Sequence, residues 1–141
     1  MFIKPLHENF KKPTKGSEFS AAFDIYMPEA GEIKPGETVV VPLGFASSFS
    51  IGFVALLLPR SGTGFKYGLE LNNTCGVIDS DFRGEWKASL KLKDPNASLK
   101  WEKGDRLLQF LLVPIPQIKI DITDTLEETK RGTGGFGSTG V

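Results

Sequence analysis

The sequence predicts an all-β fold, and three observations predict it. Sixteen glycines and nine prolines cut the 141 residues into short runs. Those runs are rich in aliphatic, aromatic and β-branched residues, and turn signals separate them. Only Ser61–Tyr67 is able to form a helix, a short one opposed by its own two glycines. A sandwich or closed barrel follows.

Strands are expected at Phe2–Leu6, Ala21–Met27, Thr38–Val41, Gly44–Phe49, Gly52–Leu58, Leu69–Asn72, Cys75–Ile78, Trp86–Lys93, Leu107–Val113 and Gln117–Asp121. Turns are expected at Pro28–Gly36, Asp94–Ser98 and Glu102–Asp105, where Lys-Pro-Gly, Asp-Pro-Asn and Lys-Gly-Asp supply the geometry. Phe53, Ala55 and Leu57 on one parity and Val54, Leu56 and Leu58 on the other predict a strand covered on both faces. Phe2, Phe10, Phe19, Phe23, Phe45, Phe49 and Phe53 read as core or partly buried filler.

A hydrophobic fraction of 40% at this length supports one compact domain. Seventeen basic and 17 acidic residues cancel, so no global field draws the chain to nucleic acid or an anionic membrane. Any polyanion must be met by a local cluster. Cys75 and His7 are the only residues of their kinds, which leaves neither a disulfide framework nor a Cys/His zinc site. No signal peptide is apparent, and no run approaches about 18 apolar residues. A soluble protein of a cytoplasmic compartment is expected, the host cytoplasm if the chain is virally encoded.

Five stretches could carry chemistry. Gly76-Val-Ile-Asp-Ser-Asp-Phe-Arg-Gly84 places two carboxylates, a ring and a guanidinium between glycines. It is either a turn whose aspartates cap backbone N–H groups or a reactive loop. Pro59-Arg60-Ser61-Gly62 leaves an apolar strand and opens the short helix, with Ser61 as an N-cap or as part of an anion cradle. The C-terminal run from Arg131 has five glycines in ten residues. It is a disordered end or a mobile arm able to wrap phosphates and stack a ring. Gln109, alone among leucines and Phe110, must satisfy a backbone group or face a site. Asp24, amid β-formers, pairs with an arginine such as Arg60 or Arg106, faces a cation, or lies on an exposed edge.

In this order and at these separations the five stretches resemble the motifs of the trimeric dUTP pyrophosphatases, the dUTPase (deoxyuridine 5′-triphosphate nucleotidohydrolase) family, across about Ser20 to Gly140. The resemblance implies a distorted β jelly roll over residues 1–130 and a flexible arm over 131–141 that closes an active site. It implies a homotrimer with shared sites, dUTP as substrate and Mg²⁺ as cofactor. It gives no stable nucleic-acid or membrane partner.

Residue by residue, the resemblance makes Asp79 the group that activates the attacking water. Phe82 would underlie the deoxyribose, and Asn73, Gly76 and Ile78 would read uracil in a hairpin pocket. Arg60, Ser61, Gly62 and Gln109 would hold the phosphates. Arg131, Gly137, Ser138 and Thr139 would close on the terminal phosphate while Phe136 stacks on the base. Asp24 would act on magnesium indirectly, through water. The family's commoner residues are glycine at the place of Ala22 and tyrosine at the place of Phe82. A dCTP deaminase shares this fold, and a silent nucleotide-binding module is the reading from outside enzymology. The reaction implied is hydrolysis of dUTP to dUMP and pyrophosphate, which limits uracil in DNA and supplies dUMP for dTMP synthesis.

Overall fold

The computed structural model describes residues 1–135. Strands β1 (Phe2–Pro5), β2 (Phe23–Ile25), β3 (Gly31–Ile33), β4 (Thr38–Pro42), β5 (Phe45–Ser48) and β6 (Phe53–Pro59) precede helix α1 (Ser61–Tyr67). Strands β7 (Leu69–Leu71), β8 (Gly76–Ile78), β9 (Lys87–Leu92), β10 (Leu99–Trp101) and β11 (Leu108–Pro114) follow it. Every pairing is antiparallel. A four-stranded sheet runs β2-β11-β6-β8, a three-stranded one β4-β9-β7, and β1-β5 and β10-β3 form two-stranded ribbons.

Alternation decides which face each strand buries. In β9, Ala88, Leu90 and Leu92 are buried while Lys87, Ser89 and Lys91 are not. They join Ile25, Leu57, Leu69, Leu71, Leu108 and Phe110, drawn from both larger sheets, in one apolar cluster. Trp86, fully buried, lies 5.0 Å from Phe45 and 5.3 Å from Phe110, edge-on to the latter. Its Nε1 donates to Ser47 Oγ at 3.1 Å, so the indole buries its apolar body without orphaning its N–H. Each such aromatic pair adds about 0.5–1.5 kcal/mol beyond area burial.

Helix α1 forms despite its glycines because tertiary contacts hold it. The buried Thr63 hydroxyl lies 2.9 Å from Arg60 O and 2.8 Å from Leu107 O, tying the first turn to the strand entering β11. Gly68 ends the helix at φ 64°, in the left-handed region, with its N–H on Gly64 O and Thr63 O. Arg60, not Ser61, occupies the N-cap position, and no side chain caps the helix. Among the described residues no helix is long and apolar enough to cross a membrane.

Several expectations need correction. Gln117–Asp121 forms no strand: its alternation is intact, but it pairs with no strand among the described residues. β3 falls inside the stretch expected to be a turn, and β10 has no counterpart among the expected strands. Each has three residues, too few for a period to show, and they pair only with each other. β6 buries Ala55 and Leu57, whereas Val54, Leu56 and Leu58 are only half-buried. Phe2 and Phe19 are 81% and 91% exposed and so are not core filler.

Candidate active site

The four-stranded sheet gathers the distant stretches into one row. Gln109 on β11 stands opposite Asp24 on β2 and, on its other side, opposite Leu58 on β6. Leu57, next on β6, stands opposite Gly76 on β8. The cause is hydrophobic parity: Leu108, Phe110 and Ile25 enter the core, so Gln109 and Asp24 share the opposite face.

Asp24 is only 5% exposed, and its charge is balanced by two guanidinium groups. Arg60 Nε donates to Oδ1 at 2.8 Å and Arg106 Nη1 to Oδ2 at 3.1 Å. Arg60 also donates to Arg106 O at 3.1 Å, and its backbone N–H to Leu107 O at 2.9 Å. The arginine pairing anticipated for Asp24 is therefore formed twice. Arg106 also lies over the Tyr26 ring, 5.9 Å from its centroid. Tyr26 escaped sequence reasoning, although it lies two residues beyond Asp24 and so on the same face.

Beside this clamp opens a cleft of about 430 Å³, lined among others by Ser20, Ala22, Asp24, Arg60, Ser61 and Gln109. Gln109 meets both of its anticipated roles, since its Nε2 donates to Pro59 O at 3.1 Å and its side chain still borders the cleft. Ser61 and Gly62 are exposed at the cleft's entrance to α1, and a Cβ at Gly62 would meet nothing within 4 Å.

The link from β7 to β8 is not a hairpin, because its two strands belong to different sheets. The crossing is made by Thr74 at φ 68°, the only non-glycine residue with positive φ among those described and a strained place for a β-branched side chain. Asn73 braces it, with Nδ2 donating to Cys75 O at 3.1 Å while Cys75 N donates to Asn73 O at 2.7 Å. Gly76 is buried and close-packed, since a Cβ there would fall 2.9 Å from Leu57 Cβ. β8 pairs on one side only, with β6, so its outer edge offers backbone donors and acceptors.

Past Ile78 the chain turns through Asp79–Gly84. Neither aspartate side chain accepts a hydrogen bond among the described residues, so the capping role open to them is not taken. The turn is held instead by Phe82 N donating to Asp79 O at 3.2 Å and by Arg83 Nη1 donating to Ser80 O at 2.8 Å and Phe82 O at 3.2 Å. Asp79 is left exposed with a free carboxylate, and Phe82 is 43% exposed.

Arg131 is not brought to the cleft. It is exposed, and its Nε donates to Gly134 O at 3.0 Å within a local turn. Phe136, Gly137, Ser138 and Thr139 lie outside the described residues.

Among the described residues no three Asp, Glu, His or Cys side chains converge as a metal cage. Each Asp24 oxygen takes one guanidinium hydrogen and keeps lone-pair capacity for a water. That donor set fits a magnesium ion carried by a triphosphate and keeping its waters.

A sequence model of the dUTPase family matches residues 8–140. The chain belongs to the dUTPase family. Its reaction is dUTP hydrolysis, as a dUTP diphosphatase. The deoxyuridine 5′-triphosphate nucleotidohydrolase of Maricaulis maris is 40% identical over 99% of this chain and 95% of its own. That of Acinetobacter baumannii is 41% identical over 96% and 91%. The dUTPase of Staphylococcus bacteriophage 80alpha, solved with dUPNHPP, superposes with a TM-score of 0.90 at 28% identity over 99% of this chain and 98% of its own. The β body is thus the dUTPase jelly roll, and the dUTPase match takes in all five stretches singled out in the sequence.

Proposed function

We propose that this enzyme cleaves dUTP to dUMP and pyrophosphate by in-line attack of water on the α-phosphorus, with Asp79 holding the water. The observation that carries the reading is the exposed Asp79 carboxylate, free of hydrogen bonds among the described residues, at the end of β8. β8 runs antiparallel to β6, so Asp79 lies at the start of β6 and Arg60–Gly62 at its far end, and one site takes its water from one subunit and its phosphate cleft from another. Asp79 orients the water and accepts its proton as the new P–O bond forms. The bond from the α-phosphorus to its bridging oxygen breaks, and that oxygen leaves with pyrophosphate.

Arg60, Ser61, Gly62 and Gln109 hold the phosphates in the cleft, where the +1 balance of two arginines against Asp24 favours an anion. When bound, magnesium neutralises phosphate charge, and Asp24 meets its water shell. Asn73 and the free edge of β8 at Gly76 and Ile78 read the uracil, and Phe82 lies against the deoxyribose. The arm over residues 131–141 closes the site with Arg131, Phe136, Gly137, Ser138 and Thr139, as a separate part from the body over 1–130.

The working unit is a homotrimer with shared sites. Support comes from Ile118, Ile120 and Ile122, which are 77%, 85% and 98% exposed on one parity of an unpaired segment. In the cell the reaction limits uracil in DNA and supplies dUMP for dTMP synthesis. Pyrophosphate release from dUTP, dTTP, dCTP and UTP tests the reading. Release is expected from dUTP alone at a high rate, and comparable release from UTP or dTTP would overturn the assigned sugar and base contacts.

A further inference from the structure

Gly84 closes the Asp79–Gly84 turn, and its backbone does not require glycine. Its φ lies outside the left-handed region in which Gly36, Gly44, Gly52, Gly68, Gly104 and Gly132 are found. What excludes a side chain is a neighbour. A Cβ on Gly84 would fall 2.5 Å from Phe82 Cζ, 2.8 Å from Cε2 and 3.3 Å from Cε1. The far edge of the ring occupies the space in which any other residue would carry its first side-chain atom.

The rest of the turn fixes Phe82 at its backbone. Phe82 N is bonded to Asp79 O, and Arg83 Nη1 bridges the carbonyls of Ser80 and Phe82. The ring stands outside the buried apolar cluster and is 43% exposed. Its far edge lies directly over the bare backbone at Gly84.

We propose that Gly84 is a specificity-determining positioning residue: by lacking a side chain it seats the Phe82 ring at the depth that admits deoxyribose and excludes a ribose 2′-hydroxyl. The inference rests on Phe82 as the sugar platform. An alanine at 84 forces the ring edge to retreat by roughly 1 Å to reach ordinary contact distance. An exposed ring moves by rotating about its side-chain bonds, so the displacement costs little stability. It changes the shape of the sugar pocket instead.

The experiment measures kcat/KM for dUTP and UTP, with thermal melting, in the parent, Gly84→Ala, Phe82→Ala and the double variant. Gly84→Ala is expected to melt within about 2 °C of the parent and to lower the dUTP-to-UTP ratio about tenfold or more. The double variant is expected to match Phe82→Ala, because without the ring the methyl strikes nothing. A parental ratio in Gly84→Ala beside a lowered ratio in Phe82→Ala overturns the role of Gly84 and leaves the platform standing. A parental ratio in Phe82→Ala overturns the platform itself. Additive losses in the double variant place the methyl's clash elsewhere and also overturn the proposal. If Gly84→Ala fails to fold, recovery in the double variant supports the contact, and failure of both refutes it.

Discussion

Asp24 and Arg60 stand 36 residues apart in sequence, yet Arg60 Nε donates to Asp24 Oδ1 at 2.8 Å. Through this bond the strand entering α1 is locked to β2, with Arg106 completing the clamp from the turn before β11. The cleft beside the clamp is thus lined by a carboxylate that two arginines already hold.

Replacing Asp24 by alanine leaves two guanidinium groups facing each other without their anion. The arginines are 32% and 42% exposed, so water screens part of the repulsion. A loss of roughly 2–4 kcal/mol in urea unfolding is expected, with pyrophosphate release falling well beyond what residual folding explains. Unchanged stability would show that the clamp contributes nothing to the fold.

Asp79→Asn keeps the shape of the side chain and removes its basicity. Turnover of dUTP is expected to fall by roughly 10²–10⁴-fold, while calorimetric titration with dUPNHPP gives the parental affinity. Near-parental turnover sinks the assignment of Asp79 to the water.

A chain ending at Lys130 loses Arg131 and everything beyond it. Residues 131–133 and 135 are exposed, so the melting curve of the body should not move. The value of kcat/KM for dUTP is expected to fall at least about 100-fold, since the arm's share of substrate positioning is gone. Full activity in the truncated chain removes the closing role of Phe136, Ser138 and Thr139.

Ile118, Ile120 and Ile122 changed together to serine should leave each subunit folded and dissociate the proposed trimer. Sedimentation is expected to shift from trimer to monomer, with activity lost at the same protein concentrations. An active monomer would show that the site is complete within one chain.

Much of this was legible in the residues. The strand at Trp86–Lys93 was foreseen from its residues, and the lone Gln109 of β11 pointed to the two roles it fills, bonding Pro59 O and bordering the cleft. Asp24 announced itself as a carboxylate among β-formers, and its guanidinium partners were foreseeable. What escaped depends on contacts that no local pattern encodes. β3 and β10 exist because each covers the other, and three residues apiece carry no period of their own. The seat of Phe82 on Gly84 is a contact two residues away that a glycine in a turn motif disguises as mere flexibility. The Gln117–Asp121 alternation is a β pattern that pairs with no strand among the described residues.

The buried indoles have an optical consequence. Trp86 and Trp101 are the two tryptophans of the chain, 0% and 5% exposed, and neither borders the cleft beside Asp24. Their emission reports the integrity of the body and stays dark to what happens at the nucleotide. A Phe136→Trp variant excited alongside them would add a signal from the arm alone. Melting and closure could then be followed as two colours of one spectrum, in the same cuvette.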